Sequence, residues 1–290
     1  MTSTSTAVDL EIDPIAGALG AEVRGVRLAS LEEREFEAVH RALLEHLVVF
    51  FPDQHLTPDE HRGFATRFGE AEIHPFIPKL DDAHPEIVVI ESEGGGGADV
   101  WHTDVTFSES PPICSVLKMV VCPPRGGDTM WTNQYLVYES LSAPVRDLVD
   151  GLTGVHTAAP FGRPETCAEH PAVRVHPLTG RRSLYVNRTF TSHFLELSRA
   201  ESTALLDYLC TFSEQPQFMC RYRWSVGTVG IWDNRVTQHY AISDYDERRR
   251  IERVTIVGDR PAGDPPKWPA YEPGRGERVR QQAEQQGVSE

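Results

Sequence analysis

Two side chains that can bind metal, His102 and Asp104, flank a single threonine in the segment Trp-His-Thr-Asp-Val-Thr-Phe at residues 101–107. Side chains two residues apart in an extended strand point to the same face, so a strand here would bring them together. A further candidate donor, His239, lies 135 residues beyond Asp104 within residues 230–240. The fold must therefore bring two distant segments to one point.

The chemistry of these three side chains indicates one kind of metal site. Two imidazoles and one carboxylate on one face of an octahedral ion leave three positions open, an arrangement typical of non-haem Fe(II) oxygenases. A His-x-Asp pair also occurs by chance, so the pair needs support from the rest of the chain.

Composition limits the other classes of function. With 290 residues, of which 40% are hydrophobic, we expect one large domain rather than two smaller ones. A formal net charge of -15 argues against a nucleic-acid partner or an anionic membrane surface. The five cysteines are widely spaced, and the polar N-terminus has no apolar signal segment. We expect a cytoplasmic protein and leave a homo-oligomer open.

Short strands bounded by turn residues dominate the pattern, and the helices are few. Capping boxes at Ser30, Thr57 and Ser198, each with glutamate three residues later, predict three helix starts. We expect residues 218–224 and 228–232 to pair as a hairpin. The strands are predicted at residues 8–15, 21–26, 47–51, 87–90, 115–122, 128–131, 155–157, 172–176, 183–186, 218–224, 228–232 and 251–258.

This order of elements is neither alternating βαβ nor helical. It predicts a mainly β fold with added helices (α+β), a double-stranded β-helix or jelly roll of the cupin-like kind. Such a barrel brings the ends of distant strands to one open mouth. We expect a mobile N-terminus at residues 1–8, a single jelly-roll domain at 9–259 and a C-terminal tail at 260–290.

A glycine-rich segment at residues 91–98 precedes the first two donors. It predicts either a loop that opens and closes over them or an ordinary surface loop.

An arginine cluster follows His239 and leads into the last predicted strand. It can present guanidinium groups to a dianionic cosubstrate. Arg249 and Arg253 are the better candidates because residues four apart in an extended chain face the same way. Arg248 and Arg250 are interpreted as solvated surface charges, and the whole cluster has that alternative interpretation.

Several segments together resemble the taurine dioxygenase (TauD/TfdA) family of Fe(II)/2-oxoglutarate-dependent dioxygenases, in order from about residue 15 to 262. They are residues 101–107, Gly-Gly-Asp-Thr-Met-Trp-Thr at 126–132, Val-Arg-Val-His-Pro at 173–177, Trp-Asp-Asn-Arg-Val-Thr-Gln-His-Tyr at 232–240 and Arg-Val-Thr-Ile-Val-Gly-Asp-Arg-Pro at 253–261. The resemblance implies that His102, Asp104 and His239 hold Fe(II), and that 2-oxoglutarate and O2 are cosubstrates.

The resemblance also implies where 2-oxoglutarate binds. Its far carboxylate would take a salt bridge from Arg249 and a hydrogen bond from the Thr129 hydroxyl. The segment after His239 looks one residue shorter than in taurine dioxygenase itself, which keeps Arg250 as an alternative.

For the substrate, the resemblance implies a small anionic organic molecule. Members specific for taurine carry an asparagine and a tyrosine where this chain has Ala98 and Ile77. Both differences remove hydrogen-bonding groups, so we expect a more open or more apolar cavity that accepts an anion with a bulkier body. The implied substrate-binding residues are His74, Phe161, Phe190 and Arg253.

The expected reaction is hydroxylation of a substrate of the taurine, alkylsulfonate, alkyl sulfate or aryloxyalkanoate class. A product hydroxylated at a carbon that bears a heteroatom collapses and releases sulfite, sulfate or another leaving group. One alternative is a hydroxylase or desaturase of an amino acid or natural-product intermediate. Another is a jelly-roll metal protein that binds an anion without redox chemistry.

Overall fold

The molecule is built mainly of strands, and the computed structural model describes residues 10–74, 76–94 and 98–274. Numbered along the chain, the strands are β1 (Glu11–Pro14), β2 (Ala21–Arg24), β3 (Val48–Phe51), β4 (Ile87–Glu93), β5 (Cys114–Val121), β6 (Thr129–Asn133), β7 (Thr153–Ala158), β8 (Arg163–Pro171), β9 (Val173–Val175), β10 (Arg182–Leu184), β11 (Thr191–Phe194), β12 (Met219–Tyr222), β13 (Val229–Asp233), β14 (Thr237–Ala241) and β15 (Arg248–Ile256). The helices are α1 (Glu33–His46), α2 (Pro58–Ala65), α3 (Gln134–Ser140), α4 (Ala143–Val149) and α5 (Arg199–Ser213).

The strands form two layers. The main layer is a seven-stranded sheet in the order β1-β2-β3-β13-β5-β15-β4, and smaller sheets in the orders β12-β6-β14, β11-β7-β8 and β10-β9 complete the structure. The predicted mainly β class with added helices and jelly-roll architecture is confirmed.

Apolar side chains fill the space on both sides of the main sheet. On one face, α1 and α2 place side chains such as Val39, Leu43 and Phe64 against the sheet. On the other face, aromatic side chains join the main sheet to the β12-β6-β14 sheet, with the Phe50 and Tyr222 rings stacked at 3.6 Å between centroids. This second interface includes Trp131 of β6, the strand that pairs with β14, which carries His239.

The hairpin expected from residues 218–224 and 228–232 is wrong. β12 pairs with β6, whereas β13 pairs with β3 and β5 in the main sheet. Alternation alone cannot distinguish a neighbouring partner from a distant one, because both bury one face. Strands β8, β11 and β14 are also absent from the prediction; β8 is largely exposed and lacks an apolar pattern.

Two of the three predicted capping boxes form as expected. Thr57 with Glu60 begins α2, and Ser198 with Glu201 begins α5. The start expected at Ser30 is wrong, because residues Leu28–Ser30 form a short 3-10 turn and Glu32 caps α1 instead.

The segment after β15 crosses the surface as coil. The backbone amides of Val175, Lys267 and Tyr271 donate to the carbonyls of Ala262, Gly151 and Leu195 respectively, so each joins this segment to the β-structured body. Within the described part of the chain, no helix is both long and apolar enough to cross a bilayer. The predicted mobile residues 1–8 and residues 275–290 of the predicted tail lie outside the described residues.

Candidate metal and substrate site

His102 and His239 are held beside each other by the backbone. The amide of His102 donates to the carbonyl of His239 at 3.1 Å, and the amide of His239 donates back at 2.8 Å. His239 lies in β14, so this isolated bridge ties the segment around His102 to the edge of the smaller sheet. These backbone hydrogen bonds alone align two parts of the chain that are distant in sequence.

Asp104 does not reach His102 through an extended strand, and that expectation is wrong. Residues 104–107 form a turn in which Val105 has a positive φ of 53°, a conformation that costs a β-branched residue energy. Buried contacts stabilise the turn: the Thr103 hydroxyl donates to the Thr237 carbonyl, and Asn187 donates to the Thr106 hydroxyl. The turn directs Asp104 back toward the histidines.

The three side chains form one compact cluster, whose ligand atoms all lie within 4.8 Å of one another. Asp104 Oδ1 is 3.9 Å from Nε2 of His102 and 3.9 Å from Nε2 of His239. The Nδ1 atom of His102 donates to the Val100 carbonyl at 2.7 Å, which leaves its Nε2 lone pair facing the cluster.

The protonation states suit a cation. Burial lowers the pKa of His102, and burial together with His102 lowers the pKa of His239 well below its usual value. Burial alone would raise the pKa of Asp104, but Arg253 and the two histidines outweigh it and the net shift is strongly downward. Two neutral imidazoles and one carboxylate therefore fit a divalent transition metal.

Each oxygen of Asp104 has its own partner. Oδ2 accepts a hydrogen bond from the Ser115 hydroxyl at 2.9 Å, and Ser115 in turn accepts from Asn234 at 3.1 Å. Trp232 donates to the Asn234 side chain at 2.9 Å. Oδ1 accepts from Arg253 at 2.7 Å. Sequence reasoning missed Ser115, because nothing in the local pattern of β5 indicates a partner eleven residues earlier.

A cavity of about 500 Å³ opens beside the cluster. Six of the predicted site residues line it, namely His74, His102, Asp104, Phe161, Phe190 and Arg253. The other three, Thr129, Arg249 and His239, are not among its lining residues. Ala98 and Ile77, the positions that differ from taurine-specific members, both line it.

His74 contributes a hydrogen-bond donor to this cavity. Its Nδ1 accepts from the backbone amides of Phe76 and Ile77 at 3.1 Å each, so the ring proton lies on Nε2. Burial, with Arg253 as a second cause, lowers the pKa of His74 to about 4. The ring is therefore neutral near pH 7 and donates from Nε2.

An aromatic group forms much of the remaining wall. The Phe161 ring stacks on Phe190 at 6.2 Å between centroids, and Phe107 packs edge-on against both. Phe161 lies on a 3-10 turn and is 41% exposed, whereas Phe190 is buried. Phe76 extends the group at 5.3 Å from Phe161.

Arg249 and Thr129 lie near each other, outside the set of residues that line the cavity. Nε of Arg249 donates to the Gly127 carbonyl at 3.1 Å, two residues before Thr129 at the start of β6. The Thr129 hydroxyl accepts from Trp224 at 2.9 Å and keeps its own proton for another acceptor.

The arginines of β15 alternate between two environments. Arg249 and Arg253 are each 5% exposed on one face, whereas Arg250 points the other way and bonds Glu252. Sequence reasoning missed Tyr245, whose hydroxyl bonds Ser92 at 2.7 Å and contacts Arg249. In the glycine-rich segment, expected to be either a closing loop or an ordinary surface loop, residues 95–97 lie outside the described residues and residues 91–93 belong to β4.

Comparison with known proteins gives consistent similarities. Residues 11–255 match the family described as "Taurine catabolism dioxygenase TauD, TfdA family". An alpha-ketoglutarate-dependent sulfate ester dioxygenase from Pseudomonas putida is 39% identical over 280 residues, 89% of this chain and 92% of the relative. An alkylsulfatase from Acinetobacter baylyi is 36% identical over 273 residues, 86% of each chain. A crystal structure of a taurine dioxygenase from Burkholderia xenovorans aligns with a TM-score of 0.81 and 41% identity, covering 91% of this chain and 97% of that one.

Proposed function

The chain belongs to the TauD/TfdA family and is a 2-oxoglutarate-dependent dioxygenase, and we propose that it uses Fe(II) to hydroxylate small sulfate esters with an apolar body. One observation carries the proposal: the cavity beside the three clustered side chains, which His102 and Asp104 line, also has two hydrogen-bond donors and an aromatic wall. Alpha-ketoglutarate is 2-oxoglutarate, so the cosubstrate is the one that the family uses.

The three clustered side chains are proposed to bind Fe(II) through the two Nε2 atoms and Asp104 Oδ1. When bound, Fe(II) with 2-oxoglutarate and O2 supplies the oxidant that removes hydrogen from a substrate carbon, and 2-oxoglutarate becomes succinate and CO2. The protein contributes the placement of the donors, since His102 is oriented by the Val100 carbonyl and Asp104 by Ser115.

Arg249 and Thr129 are proposed to bind the far carboxylate of 2-oxoglutarate. Burial lowers the pKa of Arg249. The ordinary pKa of a guanidinium is so high, however, that the side chain stays charged. This buried guanidinium is bonded by the Gly127 carbonyl and contacted by Tyr245, which are both uncharged, so it gains strongly from a carboxylate partner. Tyr245 limits the positions that this guanidinium can take.

Arg253 and His74 are proposed to hold the sulfate group. Both line the cavity, one as a cation and one as a neutral Nε2–H donor. Holding the sulfate there presents the carbon that bears the ester oxygen to the metal. Hydroxylation at that carbon gives a product that collapses to an aldehyde and inorganic sulfate.

The apolar part of the substrate is proposed to lie along the aromatic wall. Phe161 and Phe190 are joined there by Ile77, Val89 and Ile90. A short polar amine such as taurine would find few hydrogen-bonding partners on this wall, whereas an alkyl chain would bury apolar area. The names of the two relatives that act on sulfate esters support the same substrate class.

The decisive experiment is an anaerobic titration of the enzyme with Fe(II) and 2-oxoglutarate, followed by a panel of alkyl sulfates, alkylsulfonates, aryloxy acids and amino acids. We expect a weak visible charge-transfer band that shifts with alkyl sulfates, and stoichiometric release of sulfate and succinate in air. A band that shifts only with amino acids would overturn the substrate class. No band with Fe(II) bound would overturn the cosubstrate assignment.

The first testable prediction concerns Phe161. Phe161→Ala is expected to raise KM for octyl sulfate about fivefold and to leave ethyl sulfate nearly unchanged. The reason is that a half-exposed ring contributes about half of the ~2 kcal/mol gained by burying a whole phenylalanine side chain. Steady-state kinetics on the two esters measures the difference. Tyr208→Ala, which removes an aromatic ring of similar exposure from α5, is the control. Equal changes for both esters would contradict the proposed wall.

The second prediction concerns Ser115. Ser115→Ala is expected to weaken Mn(II) binding by about 10- to 100-fold, because it removes the hydrogen bond that orients Asp104. Calorimetric titration with Mn(II), a redox-inert substitute for Fe(II), measures the effect without turnover. Ser110→Ala, at an exposed serine, should bind Mn(II) like the wild type. Unchanged affinity in Ser115→Ala would show that the turn alone positions Asp104.

A further inference from the structure

Arg253 occupies the oxygen of Asp104 that the metal needs. Oδ1 is the atom 3.9 Å from Nε2 of both histidines, while Oδ2 is engaged by Ser115. Arg253 donates to Oδ1 at 2.7 Å, and the two side chains are 6% and 5% exposed. In this conformation a guanidinium stands on the ligand-facing side of the carboxylate.

Arg253 also faces the cavity in which the substrate is proposed to bind. It is one of the cavity-lining residues, and its Nε is buried with no hydrogen-bond partner among the residues that the structure describes. A guanidinium has five N–H donors in a planar fork, which matches the oxygens of a sulfate group. Arg253 thus lines the cavity and has an N–H donor, Nε, that its described neighbours do not use.

The contact of Arg253 with Asp104 Oδ1 becomes unfavourable once a divalent cation binds to the same oxygen. A cation on Oδ1 would lie close to a desolvated guanidinium, and like charges in a partly buried site repel strongly. A buried guanidinium that leaves its carboxylate must find another anionic partner, because an unpaired buried charge is unfavourable. The sulfate group of the substrate provides that partner.

We propose that Arg253 exchanges partners, pairing with Asp104 Oδ1 in the metal-free protein and with the anionic group of the substrate once the metal is bound. The metal and the anionic substrate then favour each other's binding. The metal displaces Arg253 from Asp104 and so makes its guanidinium available to the anion. The anion in turn holds Arg253 away from Oδ1 and so makes that oxygen available to the metal. This inference rests on the proposed function, from which it takes both the metal and the anionic substrate.

Thermodynamic linkage makes the coupling reciprocal. The factor by which the anion tightens metal binding must equal the factor by which the metal tightens anion binding, typically about 5- to 150-fold. The coupling depends on the exchange of one side chain and requires no movement of the strands.

The test uses Mn(II) as the metal and hexyl sulfate as the anion, with the full chain and without 2-oxoglutarate. Free Mn(II) is followed by its electron paramagnetic resonance signal, which measures the Mn(II) dissociation constant without catalysis. We expect saturating hexyl sulfate to lower this constant at least about fivefold. The neutral analogue 1-hexanol should leave it unchanged.

Variants then separate exchange from simple attraction between sulfate and Mn(II). Arg253→Gln should bind Mn(II) more tightly than the wild type without any anion, and hexyl sulfate should add nothing further. Arg250→Gln removes the same charge from the same strand, but its guanidinium pairs with Glu252 on the opposite face, so it should behave like the wild type.

Two results would overturn the exchange. Weaker Mn(II) binding by Arg253→Gln would show that Arg253 supports Asp104 in the metal-bound site, and no effect of hexyl sulfate in the wild type would show that the two ligands are uncoupled. Thermal melting checks the fold of Arg253→Gln, and Arg253→Lys, which keeps the charge but loses the fork, should show reduced coupling if the glutamine variant unfolds. Failure of the proposed function has a different signature, namely no Mn(II) binding at all or no sulfate release during turnover.

Discussion

Replacing Asp104 with alanine is expected to lower substrate-dependent succinate formation by about a thousandfold or more. The substitution removes the anionic member of a cluster whose ligand atoms lie within 4.8 Å of one another. Several kcal/mol of metal-centred stabilisation correspond to about three orders of magnitude in rate. His102→Ala and His239→Ala should cause the same loss, because each removes one of the two neutral imidazoles. Succinate formation with Fe(II) supplied in excess measures all three.

Controls for this prediction must exclude unfolding and general loss of histidine. Asp104→Ala leaves Arg253 without its carboxylate, so thermal melting should accompany the kinetics. His55→Ala removes an exposed histidine that pairs with Asp53 outside the cavity, and it should retain wild-type turnover. Wild-type succinate formation in any of the three cluster variants would contradict the assignment of the metal ligands.

Arg249→Ala is expected to raise KM for 2-oxoglutarate by roughly 30- to 4,000-fold. Truncating one partner of a buried, hydrogen-bonded charge pair costs about 2–5 kcal/mol, and each 1.4 kcal/mol is a factor of ten in affinity. The effect should be confined to the cosubstrate, because Arg249 does not line the cavity that holds the substrate. KM for hexyl sulfate at saturating 2-oxoglutarate should therefore change little.

Arg250→Ala is the matched control, since it removes a guanidinium from the adjacent position of β15. Arg250 is directed to the other face of the strand, where Glu252 accepts its hydrogen bond. Its KM for 2-oxoglutarate should stay near the wild-type value. A large increase in Arg250→Ala together with a small one in Arg249→Ala would shift the assignment by one residue along the strand.

Local sequence patterns were sufficient to predict some features of the structure. The capping boxes of α2 and α5 depend on side chains three residues apart, so the sequence contains the whole interaction. The inward direction of Arg249 and Arg253 likewise follows from the alternation of a strand. His102, Asp104 and His239 could be selected because their donor chemistry suits one metal site.

Other features could not be predicted because they depend on distant partners. Alternation correctly indicated β12 and β13 as strands but suggested the wrong pairing, since each finds its partner elsewhere in the barrel. Ser115 carries no local sign of its bond to Asp104. The contact between Arg253 and Asp104 joins residues that are far apart in the chain and adjacent only after folding.

The available donors, two histidines, one aspartate and two inward-facing arginines, can be identified in the amino-acid sequence because side-chain chemistry and strand periodicity are local properties. How these donors meet depends on the folded chain. A backbone bridge aligns His102 with His239, and a turn through Val105, rather than a strand, directs Asp104 to them. That geometry depends on packing between layers. Only the surrounding contacts can stabilise the left-handed backbone conformation of Val105 and place the Arg253 guanidinium on the ligand-facing oxygen of Asp104.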